Sequence, residues 1–323
     1  PQFSATPAHL ATITDICRRL DGMPLAIELA AARVRSLSIP EIADGLRDRF
    51  RLLTGGARTA VHRQQTMQAS VDWSYDLLTE PEKALFRRLA VFVGGCDLVA
   101  AEKVTAAEDL DRCQVLDLLT LLVDKSLVHA DTEAGATRYR TLETLRQFAS
   151  ERLSEHGDAD AVRERHCDYY ASLAALLDTP SVKGYVHRIK DAELEIDNMQ
   201  AAFMWSLDSG DIDAALRLVS SLQPVWLATA RILQGMAWFD SALINIGFGC
   251  AQRRLHALAL ANRAILASHV AAVEFVSHAE QALAIAREDG DEALLARALT
   301  ACGSIAAFDP EVALPYLDEA ESL

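Results

Sequence analysis

Residues 113–156, CQVLDLLTLLVDKSLVHADTEAGATRYRTLETLRQFASERLSEH, change their hydrophobic pattern twice. Apolar side chains recur at helical spacing over residues 113–125, whereas residues 126–130 and 137–141 are short and β-prone. Between them, the six residues DTEAGA contain a glycine, which favours a hairpin loop. Helical spacing returns over residues 142–156. The stretch therefore predicts a helix, a β-hairpin and a second helix.

Three further helices are predicted just before this stretch, over residues 66–78, 80–92 and 97–104. The second begins with Glu80-Pro81-Glu82, which places two acidic side chains in the first turn, where the helix dipole favours them. From residue 80 onward the predicted order is three helices, a hairpin and a closing helix, which is the element order of a winged-helix domain. We therefore predict such a domain over residues 66–156.

The N-terminal residues 1–65 predict a small helical domain that ends in an exposed loop. Two helices, over residues 14–20 and 25–37, are separated by a turn that contains a glycine and a proline. A third helix is predicted to begin after Ser38, because serine is a good N-cap and Glu41 completes a capping box. The glycine-containing residues 54–65 lack apolar rhythm and predict the loop.

Only helices are predicted over residues 157–323, and they show a weak repeat. The segments DSAL (240–243), EQAL (280–283) and DEAE (318–321) lie 40 and 38 residues apart, each late in a helix. This period predicts an arm of paired helices of the tetratricopeptide kind, with a generic helical bundle as the alternative. Trp205, Trp226 and Trp238 either line a groove of this arm or pack between its helices.

Composition and charge exclude several classes of protein. The 323 residues carry a formal charge of -15, and the acidic excess grows toward the C-terminus, which disfavours a nucleic-acid groove in the later two-thirds. A membrane span and a signal peptide are not recognisable, so we expect a cytoplasmic protein without a membrane partner. The six cysteines show no metal-ligand spacing and predict free thiols and no metal site.

Motifs of catalysis are absent from the sequence. It contains no GxxxxGK[ST] loop, HExxH, GxSxG or GxGxxG. His166 and Cys167 are adjacent on a predicted helix, where their side chains diverge by about 100°, so they do not form a nucleophile–base pair. The sequence therefore predicts no catalytic residue and no enzymatic activity for this chain.

The predicted winged helix lacks the side chains that usually read DNA. Its third helix offers Gln114, Asp117, Thr120 and Asp124, with Lys125 at its end. A helix that reads the major groove needs outward arginines, lysines or amides. The wing adds only Arg138 and Arg140, which we keep as possible DNA contacts. A winged helix that packs against protein is the favoured interpretation, and DNA binding the alternative.

Four ordered motifs carry a resemblance to a known family. They are LDGMPLAIELAAARVRSLS, DRFRLLTGG, QTMQASVDWSYDLLTEPEKALFRRLAVFVGG and YRTLETLRQFASERL. Together they resemble the region after the ATPase domain in bacterial STAND proteins, signalling ATPases related to NB-ARC modules. The helical tail is similar to the sensor arms of large bacterial transcriptional regulators of the LuxR type or linked to cyclases.

The resemblance implies nucleotide contacts in the small helical domain. In the family a Gly-Leu-Pro-Leu motif lies beside the nucleotide, and its proline packs on the adenine of ADP or ATP. Gly22, Met23, Pro24 and Leu25 occupy these positions, with Met23 in place of leucine. Glu143 stands where the family has a phosphate-sensing histidine. An ionised carboxylate repels phosphate, so this departure puts direct phosphate sensing in doubt.

The Walker A and B elements that the family carries upstream are missing here, and the sequence begins at Pro1. The expectation is a regulatory fragment of a longer ATPase, in which ADP or ATP with Mg binds to an upstream nucleotide-binding domain of the same polypeptide. The fragment would close over the nucleotide and receive a protein or small-molecule signal through its arm. A free-standing interaction scaffold is the rival hypothesis.

Overall fold

The computed structural model describes residues 7–20, 27, 30–31, 34, 37–46, 67–133, 136–178, 184–244, 250–270 and 276–323. The chain divides into two compact units, residues 1–162 and 163–323. The predicted three-domain division, at residues 65 and 156, stays a prediction. Gly22–Leu25 and the predicted loop 54–65 lie outside the described residues, as does most of the predicted helix 25–37.

The N-terminal part of the first unit contains α1 (Pro7–Arg19) and α2 (Ile39–Gly45), which pack together. The predicted N-cap of α2 is confirmed. The Ser38 hydroxyl accepts from Glu41 N at 3.4 Å, and Glu41 Oε2 accepts from Ser38 N at 2.8 Å. This capping box fixes the start of α2, so that Ile39 and Ile42 are buried.

In the rest of the first unit, α3 (Met67–Asp76) is followed by the predicted winged-helix order of three helices, a hairpin and a closing helix. The elements of that order are α4 (Glu80–Arg88), α5 (Leu98–Thr105), α6 (Val115–Asp124), β1 (His129–Glu133), β2 (Ala136–Arg140) and α7 (Glu143–His156). Short 3-10 turns follow α4 and precede α6. The core between α4, α6 and α7 is apolar, with Leu85, Phe86, Leu119 and Phe148 fully buried.

The predicted bounds of the hairpin were wrong. The first strand begins at His129 instead of Ser126, because the chain first closes the end of α6. Ser126 adopts a positive φ of 57°, and the amides of Leu127 and Val128 both donate to Leu122 O, at 3.0 and 3.3 Å. Most of the predicted loop also belongs to the ladder, in which Asp131 pairs with Arg138.

The second unit is an all-helical arm. The helix α8 (Ala159–Ala175) leads into it, followed by α9 (Tyr185–Leu194), α10 (Ile196–Asp208), α11 (Ile212–Ser221), α12 (Gln223–Ala228), α13 (Ile232–Ile244), α14 (Cys250–Ser268), α15 (Val276–Asp289), α16 (Glu292–Ile305) and α17 (Pro310–Glu321). Successive helices from α14 to α17 pack on one another around a shared apolar core. This is the predicted helical-repeat architecture.

The repeat is visible in its turns. Gly210 and Gly290 both adopt φ of 79°, and each is followed by an aspartate that caps the next helix. Asp211 Oδ1 accepts from Ala214 N at 2.9 Å, and Asp291 Oδ1 accepts from Leu294 N at 2.8 Å. A glycine–aspartate pair therefore ends one helix and begins the next at both positions.

Two of the three tryptophans pack inside the arm, so they line no groove. Trp226 is fully buried and Trp238 is 7% exposed. The Trp238 ring stacks on Phe203 at 4.9 Å and meets the Trp226 ring at 5.4 Å. Gly235 is required here, because a Cβ atom at that position would lie 2.6 Å from the Trp226 ring.

Two negative findings apply to the part of the chain that the structure describes. None of its helices combines the length and the apolar character that a membrane crossing requires. Its histidine, cysteine and acidic side chains form no group of three that could hold a metal ion.

Candidate functional site

The third helix of the winged helix, α6, has one buried face and one exposed face. Val115, Leu118, Leu119 and Leu122 form the buried face. The exposed side chains are Leu116, Asp117, Thr120, Leu121 and Asp124. Leu116 and Leu121 are 45% and 44% exposed. The surface that a winged helix presents at this position is therefore apolar and acidic, and we refer to these five residues as the α6 face.

The polar side chains that flank α6 are used inside the domain. Lys125 Nζ donates to Glu82 Oε1, and the Glu82 carboxylate also accepts from Thr79 N at 2.8 Å. Burial would raise the pKa of Glu82, but the Lys125 ammonium and Thr79 hold it below its usual range. Gln114 Oε1 accepts from Asp111 N at 3.3 Å. Lys125 thus fastens the end of α6 to the start of α4.

The wing is fastened to the domain by one of the two predicted arginines. Arg138 Nε donates to Gly94 O at 3.0 Å, and Arg138 Nη2 donates to Gly95 O at 2.9 Å. Beside them, Tyr139 and Cys96 exchange backbone hydrogen bonds of 2.8 and 2.9 Å. Gly95 adopts φ of 86°, and a Cβ atom there would lie 2.4 Å from Tyr139 O. Arg138 therefore holds the wing in place.

Arg140 is the more accessible of the two arginines of the wing. Its side chain is 50% exposed, and its Nε lies 3.8 Å from Asp131 Oδ2. An exposed ion pair of this length is weak, so Arg140 stays able to contact another molecule. Its charge is nevertheless partly balanced by Asp131.

Glu143 lies at the first position of α7 and binds a cation of the same helix. Its two carboxylate oxygens accept from Arg146 Nε and Nη2, both at 2.7 Å. Arg146 Nη1 also donates to Ala90 O at 3.2 Å. Sequence analysis missed Arg146, although the spacing of three residues on a helix could have indicated the pair. Arg146 therefore occupies both carboxylate oxygens at the predicted sensor position.

A buried arginine joins three segments of the winged helix, and no sequence motif indicated it. Arg88, which is 4% exposed, donates to Asp158 Oδ2 at 3.0 Å, Asp109 Oδ1 at 2.7 Å and Thr105 O at 3.1 Å. Burial would raise the pKa of Asp109, but the bond and charge of Arg88 hold it below its usual range. We call this cluster the Arg88 node.

The residues predicted to contact nucleotide, Gly22, Met23, Pro24 and Leu25, lie outside the described residues. An apolar cavity of about 210 Å³ lies in the same part of the chain. It is lined by Ile13, Ile16 and Cys17 of α1, by Ile39 and Ile42 of α2, and by Ile27, Ala30, Ala31 and Val34.

In the arm, His166 and Cys167 contact different residues. His166 Nε2 lies 3.5 Å from Asn198 Oδ1, and Cys167 Sγ lies 3.1 Å from Ser206 Oγ. Burial lowers the pKa of His166 to about 4, although Asn198 and the charge of Glu195 act in the opposite direction. Burial also raises the pKa of the Cys167 thiol. Neither side chain has the environment of an activated nucleophile or base.

A family model of known proteins matches part of the first unit. Residues 78–154 match the family model of the winged helix-turn-helix domain. Over its whole length the chain is 54% identical to a protein of Mycobacterium tuberculosis (strain ATCC 25618 / H37Rv) named "Putative HTH-type transcriptional regulator", and equally to one of Mycobacterium bovis. The alignment covers 37% of each relative, so the chain spans little more than a third of their length.

Two further similarities are weaker or shorter. An uncharacterized protein of Mycobacterium tuberculosis is 53% identical over 165 residues, which are 51% of this chain and 42% of that protein. A crystal structure of a Signal Transduction ATPase with Numerous Domains (STAND) protein with a tetratricopeptide repeat sensor, from Pyrococcus horikoshii, is 15% identical with a TM-score of 0.27. The similarity covers 92% of this chain and 52% of that one.

The geometry and the comparisons agree on one domain. The order of α4, α5, α6, the hairpin and α7 falls within the residues that match the family model. The chain thus contains a winged helix-turn-helix domain, and it is homologous along its whole length to part of proteins named as HTH-type transcriptional regulators.

Proposed function

We propose that this chain is the regulatory and sensor part of a transcriptional regulator, and that its winged helix contacts protein through the α6 face. The chemistry of that face carries the proposal. A helix that reads DNA bases presents arginine, lysine or amide side chains. Asp117 and Asp124 would instead bring negative charge toward the phosphates, and Leu116 and Leu121 would have no partner there.

The exposed leucines favour a protein surface as the partner. Leu116 and Leu121 lie at the two edges of the α6 face, about 140° apart around the helix. Each gains free energy when a protein covers it, at about 25 cal/mol for each Å² of apolar surface. The partner that the resemblance implies is an upstream nucleotide-binding domain of the same polypeptide. In this proposal the α6 face contacts that domain in the inactive state, and the arm receives the signal that releases it.

Nucleotide closure is the second step of the proposal. Pro24, with Gly22, Met23 and Leu25, would cover the adenine of ADP or ATP bound with Mg to the upstream domain. The apolar cavity between α1 and α2 supports this role, because such a lining suits the face of an aromatic ring. This chain contains no phosphate loop, so it would transmit the nucleotide state without hydrolysing ATP.

A test of the α6 face uses the polypeptide with its upstream domain. The double variant Leu116→Glu, Leu121→Glu is expected to release ADP at least tenfold faster, because two buried charges would open the contact. Val99→Glu is the matched control, since Val99 is 46% exposed on the neighbouring helix α5. Equal rates of ADP release from the double variant, the Val99→Glu control and the unchanged protein would overturn the proposed contact.

The nucleotide step is tested separately in the same polypeptide. Pro24→Ala is expected to weaken ADP binding about tenfold, which corresponds to the loss of roughly 1.4 kcal/mol of packing on the base. Calorimetric titration with ADP measures the change. Unchanged affinity would favour the free-standing scaffold hypothesis.

A further inference from the structure

One guanidinium in the arm is held by neutral groups alone. Arg297 of α16 donates from Nε to Asn262 Oδ1 at 2.6 Å and from Nη2 to Gln223 Oε1 at 2.8 Å. Asn262 lies on α14 and Gln223 begins α12, and they are only 2% and 3% exposed. Within the described part of the chain, Arg297 forms no ion pair with a carboxylate. The two amides therefore orient the guanidinium without neutralising it.

The orientation of the two amides follows from the chemistry of arginine. A guanidinium can only donate, so the oxygen atoms of Asn262 and Gln223 must face it. Their NH₂ groups then point elsewhere, and together with Nη1 of Arg297 they donate to no described residue. The enclosed polar atoms without a partner among the described residues lie at other positions, such as Trp226 Nε1, so these donors keep contact with solvent.

Another arginine of the arm, Arg263, is buried and shows how a guanidinium with a structural role is neutralised. Arg263 is 4% exposed, and it donates from Nε and Nη2 to the two oxygens of Asp240, at 2.5 and 3.0 Å. That bidentate pair neutralises the guanidinium of Arg263 and the carboxylate of Asp240 together. Arg297 instead donates to two amide oxygens, those of Asn262 and Gln223.

The guanidinium of Arg297 is not paired directly with the carboxylate whose charge acts on it. Desolvation lowers the pKa of Arg297, while the charge of Asp178 acts in the opposite direction. The Asp178 carboxylate accepts from Ser221 Oγ at 2.6 Å instead of pairing with the guanidinium. The net charge of -15 opposes anion binding only weakly, because charges beyond about 8 Å are screened at physiological ionic strength.

We propose that Arg297, Asn262 and Gln223 form a binding site for an oxyanion, the carboxylate or phosphate group of a small molecule. The planar fork of the guanidinium matches two oxygens of such a group, and the amide NH₂ groups add donors at its sides. The role of this ligand as the signal received by the arm rests on the proposed function, whereas the binding of an oxyanion at this site does not.

The experiment titrates the 323-residue chain with inorganic phosphate and separately with acetate, at ionic strength held constant with chloride. Calorimetry measures affinity, and the NMR signal of the Arg297 Nε–H reports the site. Saturable binding is expected, at least tenfold weaker in Arg297→Gln. Arg287→Gln is the control and should bind normally, because Arg287 is 54% exposed and faces Glu319 at 3.3 Å.

A second variant keeps the site folded and occupies it with a carboxylate of the chain itself. Gln223→Glu places a carboxylate on the guanidinium and is expected to weaken phosphate and acetate binding at least tenfold. The ion with the higher affinity identifies the chemistry of the natural group as phosphate or carboxylate. The site is refuted if neither ion saturates, or if Gln223→Glu binds as well as the unchanged chain. Such a failure would leave the α6 face and its ADP-release test unaffected.

Discussion

The two units surround an arginine side chain in opposite ways. In the winged helix, Arg88 is surrounded by two carboxylates and a carbonyl, so its charge and its donors are satisfied within the unit. In the arm, Arg297 is held by two amides, and the carboxylate whose charge acts on it, Asp178, accepts a hydrogen bond from Ser221 instead. The first arrangement stabilises a fold, whereas the second is suited to another molecule. The contrast separates structural charge from binding charge.

The largest effect is expected at the Arg88 node. Arg88→Ala should lower the free energy of unfolding by about 3 kcal/mol, because it leaves the Asp158 and Thr105 acceptors without their donor. Urea unfolding measures the change. The control is Arg112→Ala in the same domain, whose pair with Glu102 is 57% exposed on the arginine side and should contribute less than about 1 kcal/mol. Equal losses would remove the distinction between the node and a surface pair.

The second effect is a difference in how acid acts on the two units. In the folded arm the pKa of His166 is lowered from 6.5 to about 4. As the pH falls, His166 is therefore protonated in the unfolded chain before it is protonated in the folded arm. Stability from the neutral His166 is therefore lost as the pH falls from 6.5 toward 4, by about 3 kcal/mol. The lowered pKa of Asp109 acts in a more acidic window, below the ordinary carboxylate value of 3.8.

Unfolding measured at several pH values tests this order. His166→Gln should flatten the dependence between pH 6.5 and 4, because it removes the titrating group. His256→Gln is a control, since burial also lowers the pKa of His256 but this side chain is only partly buried. An unchanged slope in His166→Gln would show that other groups govern the acid response.

The smallest effect is expected at Arg297. Arg297→Gln should lower the free energy of unfolding by only about 1 kcal/mol, because the glutamine amide can still donate to Asn262 or Gln223 and the desolvation cost of the guanidinium is removed. Urea unfolding at neutral pH compares this variant with Arg88→Ala. A loss as large as that of Arg88→Ala would make Arg297 a structural residue and end the comparison between the two units.

The sequence predicted the parts of the fold that local patterns determine. The capping box of Ser38 and Glu41 and the helices and hairpin from α4 to α7 all depend on residues within a few positions of each other. The start of β1 was missed because Ser126 reverses the chain with a positive φ, which serine adopts only in a particular context.

The clusters of charge could not be predicted in the same way. Arg88 contacts residues 21 and 70 positions away, and Arg297 contacts residues 35 and 74 positions away. No pattern in a single sequence couples positions at such distances, because packing of whole helices brings them together. For the same reason, the structural use of Arg138 at Gly94 and Gly95 was not visible, and it was kept as a possible DNA contact.

The most direct test of the proposed function measures duplex DNA binding by the whole chain. Fluorescence anisotropy would follow a duplex of random sequence and genomic fragments between about 50 and 200 mM salt, with Arg140→Ala as the matched variant. We predict no retention near physiological salt and no effect of Arg140→Ala. Specific retention with a steep salt dependence that Arg140→Ala reduces would contradict the account, because the winged helix would then read DNA.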